Sequence, residues 1–201
     1  MAKHIDYYVS LMSPWTHLGA ARIEALARQH GATIRIWPVA FGEIFAVSGG
    51  VPLPKRAPQR QAYRMMELKR WRAHLGVPIN LEPKFFPGDE LPAVKSVIAV
   101  RERIDGGKAM TLAHAVLKGV WEQDKNVADP DTLAGIIASV GLDPKAVAGM
   151  AADPAVAAMR DADTRMAIER GVFGAPSYVI DGEIFWGQDR LEFVARKLAA
   201  G

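Results

Sequence analysis

The sequence predicts an α/β fold in which a strand–helix–strand unit near the amino end and a hairpin plus helix near the carboxyl end are separated by a large all-helical insertion. Three observations predict it. Residues 5–9 and 33–39 are strand-like runs flanking one helix-like run, the pattern of a βαβ unit with a parallel pair. From about 46 to 172, apolar residues recur at three- and four-residue spacing and Asp-Pro pairs mark helix starts. Strand character returns at 177–180 and 183–186, joined by Asp181-Gly182, a strong hairpin signal. Together these give a thioredoxin-like fold interrupted by helices, with 1–45 and 173–201 as the thioredoxin-like domain and 46–172 as the helical insertion domain.

Each element has its own reason. Run 5–9 is apolar and aromatic apart from Asp6, which suits a central strand. Ser13 and Pro14 then open a helix, since a Ser hydroxyl accepts a bond from a first-turn N–H and Pro fits the first helical position. That helix spans 14–30, with Trp15, Leu18, Ile23 and Leu26 on an apolar side and Gly31 as its cap. Residues 41–58, with Gly42, Gly49, Gly50 and three prolines, read as a long irregular connection, functional or mobile. A helix follows over 59–75, with Ala62, Met65, Leu68, Trp71 and Leu75 at helical spacing, and Gly76-Val77-Pro78 stops it. Residues 79–87 form a loop carrying Phe85 and Phe86. Helices are expected at 91–105 and 109–124, and from Asp129-Pro130, Asp143-Pro144 and Asp153-Pro154, the last reaching about 170. After the hairpin, Gln188 or Asp189 caps a final helix through 198.

Composition narrows the chemistry. The 201 residues are half apolar and carry a net charge of +3, which suits small anionic ligands and lacks the dense basic patterning of a nucleic-acid binder. No apolar run is long enough to cross a membrane, and the chain enters strand-like sequence without an apolar leader, so a cytoplasmic location is expected. There is no cysteine, which excludes disulfides and dithiol chemistry by this chain. Any thiol used here must come from a bound molecule. The five histidines show no metal-ligand spacing, and there is no Gly-x-Ser-x-Gly elbow, Gly-x-Gly-x-x-Gly or phosphate loop.

Four segments are candidates for function. Ser13 lies at a strand-to-helix junction, where the helix dipole stabilises an anion; it is either a plain cap or a ligand contact. Ser13 and Thr16 occupy the outer positions of an X-Pro-X-X frame that carries Cys-x-x-Cys in thioredoxin-like proteins. His17, one turn on, reads as a surface or partly packed side chain. The second segment, Gly174-Ala175-Pro176-Ser177, leads into a strand as a cis-proline loop does, although Pro176 also fits a plain strand start. In the third, Lys55 and Arg60 stand where the loop meets a helix and can reach a ligand carboxylate, while the other basic residues of 55–72 read as a solvated face. In the last, backbone N–H groups at Gly187-Gln188-Asp189 can hold a carboxylate and Asp189 a ligand ammonium, or the segment is an ordinary cap.

In order along the chain, Ser13-Pro14-Trp15-Thr16, the helix end at 68–78, the segment 168–177 and Phe185-Trp186-Gly187-Gln188-Asp189-Arg190 resemble the 2-hydroxychromene-2-carboxylate isomerase family. This is a relative of kappa-class glutathione transferases in the DsbA-like thioredoxin superfamily. The resemblance implies a glutathione-dependent enzyme. By it, Ser13 hydrogen-bonds the glutathione sulfur and Ala175, ahead of the cis Pro176, pairs its backbone with the cysteinyl unit. Gln188 and Asp189 hold the γ-glutamyl end, and Arg60 approaches a carboxylate. The implied reaction interconverts 2-hydroxychromene-2-carboxylate and trans-o-hydroxybenzylidenepyruvate, in aromatic catabolism of the naphthalene type, through a transient thiolate adduct. The implied assembly is a homodimer, with no nucleic-acid or membrane partner. Leu11-Met12, Trp15 and Gly49-Gly50 depart from the family pattern. Two other readings stay open: a kappa-like glutathione transferase, and a non-catalytic thioredoxin-like binding protein.

Overall fold

The computed structural model describes residues 3–200. β1 (His4–Val9), α1 (Pro14–His30) and β2 (Thr33–Pro38) form the βαβ unit, and β3 (Ser177–Ile180) with β4 (Glu183–Trp186) forms the hairpin. The sheet order is β2-β1-β3-β4; β1 runs parallel to β2 and antiparallel to β3, and β3 is antiparallel to β4. β1 is central, as its largely apolar run suits, and Asp6 within it accepts from the Trp37 indole N–H at 2.7 Å. Ile5, Tyr7 and Val9 point into the main core with Leu18 and Ile23 of α1. Tyr8, at the alternate position, packs on the other face with Trp37, Ala167 and Val172. Tyr7 pairs in register with Tyr178 of β3, and their rings stack at 5.1 Å.

Between β2 and β3 lie α2 (Phe41–Ser48), α3 (Pro58–Leu75), α4 (Leu91–Arg103), α5 (Gly106–Gln123), α6 (Pro130–Ser139), α7 (Pro144–Ala151) and α8 (Pro154–Glu169). Asp129, Asp143 and Asp153 cap the helices that the Asp-Pro pairs announce. Asp105 does the same for α5, accepting from the Lys108 N–H at 2.8 Å, so α5 begins at Gly106 and not at 109. The main core runs through α1, α4 and α5, with Trp121 fully buried against Phe86 at 4.8 Å. On the opposite side, the Arg101 guanidinium donates to Asp163 of α8 at 2.7 Å and to the Ile36 carbonyl of β2 at 3.0 Å.

Two expectations need correction. Residues 41–58 are not one irregular connection: 41–48 is α2, and Leu53–Lys55 is a 3-10 turn. Phe41 and Ile44, nearly one turn apart, are buried on the Tyr8 side of the sheet, and that burial outweighs the glycine and proline content. Gly49, at φ 76°, ends the helix in the left-handed conformation. Nor does Gln188 or Asp189 cap the last helix. Gln188–Arg190 is a 3-10 turn that runs straight into α9 (Leu191–Ala200).

Candidate functional site

The turn from β1 into α1 is braced from a distant part of the chain. Glu90, just ahead of α4, accepts at one oxygen from the Ser10 hydroxyl at 2.9 Å and from the Met12 N–H at 3.0 Å. Burial pushes its carboxyl above the ordinary range, against the pull of these hydrogen bonds. With the turn held, Ser13 takes an extended conformation and its Oγ accepts from the Thr16 N–H at 3.2 Å. A serine hydroxyl has one proton to donate besides its lone pairs. Among the described residues, the Ser13 proton meets no acceptor, so it is available to a ligand at the positive end of α1. No acidic side chain occupies that first turn. Thr16 is fully buried behind it.

Ser13 opens on a cleft with two joined chambers, of about 560 and 600 Å³. Trp15, Arg56, Arg60, Arg64, Ala175 and Trp186 border both. The smaller chamber, which contains Ser13, is walled by aromatic side chains including Phe41, Phe45 and Phe86 and by Lys55 and the three arginines, and among the described residues no carboxylate lines it. The larger chamber adds two acids, Asp189 and Glu67. Glu67 is already paired with Arg70 at 2.5 Å.

The loop before β3 supplies backbone. The Ala175–Pro176 bond is cis, and neither polar group of the Ala175 backbone is hydrogen-bonded among the described residues. Pro176 is buried behind Ala175, and its carbonyl accepts from the Gly187 N–H at 2.9 Å, tying this loop to the one after β4. Gly174 lets the Trp186 indole lie close against this loop, since a Cβ there would stand 2.3 Å from the indole nitrogen and push the ring away.

Thus Ser13, Arg60, Ala175, Gln188 and Asp189 face one cleft, with Pro176 supporting it. Lys55 lies in the Ser13 chamber. Arg60 is exposed at the join and, among the described residues, has no carboxylate within 4.0 Å. Asp189 reaches Arg190 at 3.4 Å and otherwise faces the larger chamber. Gln188 is 2% exposed, and both its side-chain oxygen and its carbonyl accept from Arg22, at 2.5 and 3.1 Å. Arg22 thereby holds the whole turn in place from α1.

His17 is not a surface group. It is buried with its Nε2 2.9 Å from the Pro78 carbonyl and 3.4 Å from Glu122, and burial lowers its pKa. Sequence reasoning missed Glu90 and Arg22, whose partners lie 80 and 166 residues away. It also assigned Arg56 and Arg64 to a solvated face. The four-residue step from Arg60 to Arg64, which places them on one side of α3, was the available signal.

The sheet order and the cis-proline loop beside a capped strand–helix junction define a thioredoxin-like protein of the DsbA kind, and residues 4–199 match the family profile of the DSBA-like thioredoxin domain. The chain is 30% identical over 195 residues to a 2-hydroxychromene-2-carboxylate isomerase of Sphingobium xenophagum, covering 96% of this chain and 97% of the relative. It is 24% identical over 213 residues to human glutathione S-transferase kappa 1, covering 98% and 92%. A solved structure of a 2-hydroxychromene-2-carboxylate isomerase superposes with a TM-score of 0.82 at 24% identity, over 98% of this chain and 95% of the other. The chain belongs to the DSBA-like thioredoxin family and, within it, to the 2-hydroxychromene-2-carboxylate isomerase family.

Proposed function

We propose that the protein is a glutathione-dependent isomerase interconverting 2-hydroxychromene-2-carboxylate and trans-o-hydroxybenzylidenepyruvate. The observation that carries this reading is the free Ser13 hydroxyl proton at the amino end of α1, facing a chamber of aromatic and cationic side chains. The residues present fit glutathione, a molecule with two carboxylates, one ammonium and one thiol. Asp189 matches the ammonium, Arg60 a carboxylate, the open Ala175 backbone the central peptide unit, and Ser13 the sulfur.

When bound, glutathione would supply a thiolate able to add reversibly to a conjugated alkene. Everything else falls to the chain. Ser13 donates its proton to the sulfur and the α1 dipole adds to that, both favouring the ionised form over the thiol, whose ordinary pKa is about 8.5. The cis-proline loop and the Gly187–Asp189 turn orient the peptide unit. Trp15, Phe41 and Phe86 offer apolar surface to an aromatic ring and exclude water from the space beside Ser13.

The test is the ultraviolet thiolate absorbance of glutathione, titrated with pH with and without protein, followed by turnover of the hydroxychromene acid. The expected result is a lowered thiol pKa and turnover without net loss of glutathione. Stoichiometric consumption of glutathione would move the reading to a transferase. Absence of glutathione binding would remove it.

A further inference from the structure

Arg64 is a half-buried cation of the cleft whose donors the described residues leave largely unused. It borders both chambers of the cleft, one turn beyond Arg60 on α3. Its single hydrogen bond is a weak one, from Nη1 to the Met65 sulfur at 3.7 Å, and its Nη2 is buried with no partner. No carboxylate of the described residues lies within 4.0 Å of it. Arg56, beside it, makes matters worse by repulsion, and burial together with Arg56 pulls the Arg64 guanidinium down to about 10. It is still charged at neutral pH. A half-buried guanidinium with an unused donor is costly unless an anion completes it.

The surroundings say which anion. The Arg64 guanidinium lies over the Phe86 ring, 5.3 Å from its centroid, and Phe86 and Ser13 line the same chamber. Arg56 is fixed by its Nε donating to the Val51 carbonyl at 2.7 Å, which leaves its terminal nitrogens free. A planar carboxylate attached to an aromatic framework therefore finds a forked donor and a ring face together.

We propose that Arg64, seconded by Arg56, receives the carboxylate of the aromatic acid substrate, while Arg60 serves the thiol cofactor. This rests on the aromatic-acid reading given above. Arg60 is exposed at the join of the chambers, whereas Arg64 is half-buried, so the two guanidiniums are suited to different ligands.

The test uses benzylidenepyruvate, which lacks the ring hydroxyl and cannot cyclise, and its methyl ester. Binding of each is read from quenching of tryptophan fluorescence, and glutathione binding is read by calorimetry. Arg64→Met is expected to weaken binding of the acid about 10- to 100-fold. The ester should change less than about threefold and glutathione not measurably. Arg64→Lys should recover only part of the loss, since it keeps the charge without the fork. Equal losses for acid and ester, or unchanged binding of the acid, would overturn the assignment. Loss of glutathione affinity with the acid unaffected would also overturn it and give Arg64 to the cofactor. If the unaltered protein binds the acid through Arg64 but binds no glutathione, the subsite stands and the cofactor reading falls.

Discussion

α3 and α5 are both 18 residues long, yet α5 buries nine residues, including Trp121, and α3 buries one, Leu68. α5 is packed between α1, α4 and α6, and its apolar residues fill the main core. α3 is held to the body by Leu68 with partly buried Met65, Trp71 and Leu75, and it turns Arg60 and Arg64 toward the cleft. The difference separates two kinds of cost. A change on α5 should be felt in stability, and a change on the cleft side of α3 in ligand binding.

The strongest way to break this comparison is Trp121→Ala on α5. It removes a fully buried indole in contact with Phe86, and should lower the unfolding free energy by about 3–5 kcal/mol in urea. A loss below about 1 kcal/mol would mean that α5 is not the pillar its burial suggests. Ser13→Ala, at the junction between core and cleft, should register on both scales. The lost cap costs about 0.5–2 kcal/mol, and the bound thiol should titrate closer to its free value. An unchanged thiol titration would reduce Ser13 to a cap. Arg60→Gln on α3 should leave stability within about 0.5 kcal/mol and weaken glutathione binding. Equal loss of both would show that α3 cannot be altered independently of the fold.

The smallest effect sharpens the α1–α5 contact. Burial holds the His17 imidazole below its ordinary 6.5, so between 6.5 and the lower folded value the unfolded chain binds a proton that the folded chain refuses. Stability from this source is complete above about pH 6.5 and declines as the pH falls through that window. His17→Gln, which retains a donor for the Pro78 carbonyl, should flatten that part of the curve in urea unfolding at a series of pH values. A curve of unchanged slope would assign the acid sensitivity elsewhere.

Much of the fold was legible because its signals are local. Ser13-Pro14, the Asp-Pro starts and Asp181-Gly182 each act through their own turn, and β1 advertises its central place by its run of apolar and aromatic residues, with Ile5, Tyr7 and Val9 buried on one face and Tyr8 on the other. α2 was not legible, since Gly42, Gly49 and Gly50 argue for a loop and only the sheet face under Phe41 and Ile44 argues for a helix. The site divided in the same way. Ser13, Ala175 and the Gln188-Asp189 turn could be named from motifs, whereas the Gln188 side chain proved to be held by Arg22.

The sequence alone determined the order of the strands and of every long helix, the absence of any thiol and the placing of an anion-favouring helix end after β1, because these follow from residue type and nearest neighbours along the chain. Only the tertiary structure decided that Glu90 braces the Ser13 turn, that Arg22 holds the Gln188 turn, and that Arg64 borders the cleft with no carboxylate of the described residues beside it. Burial and charge pairing are properties of what surrounds a side chain. For these residues, the decisive neighbours lie far away in sequence or are missing from it.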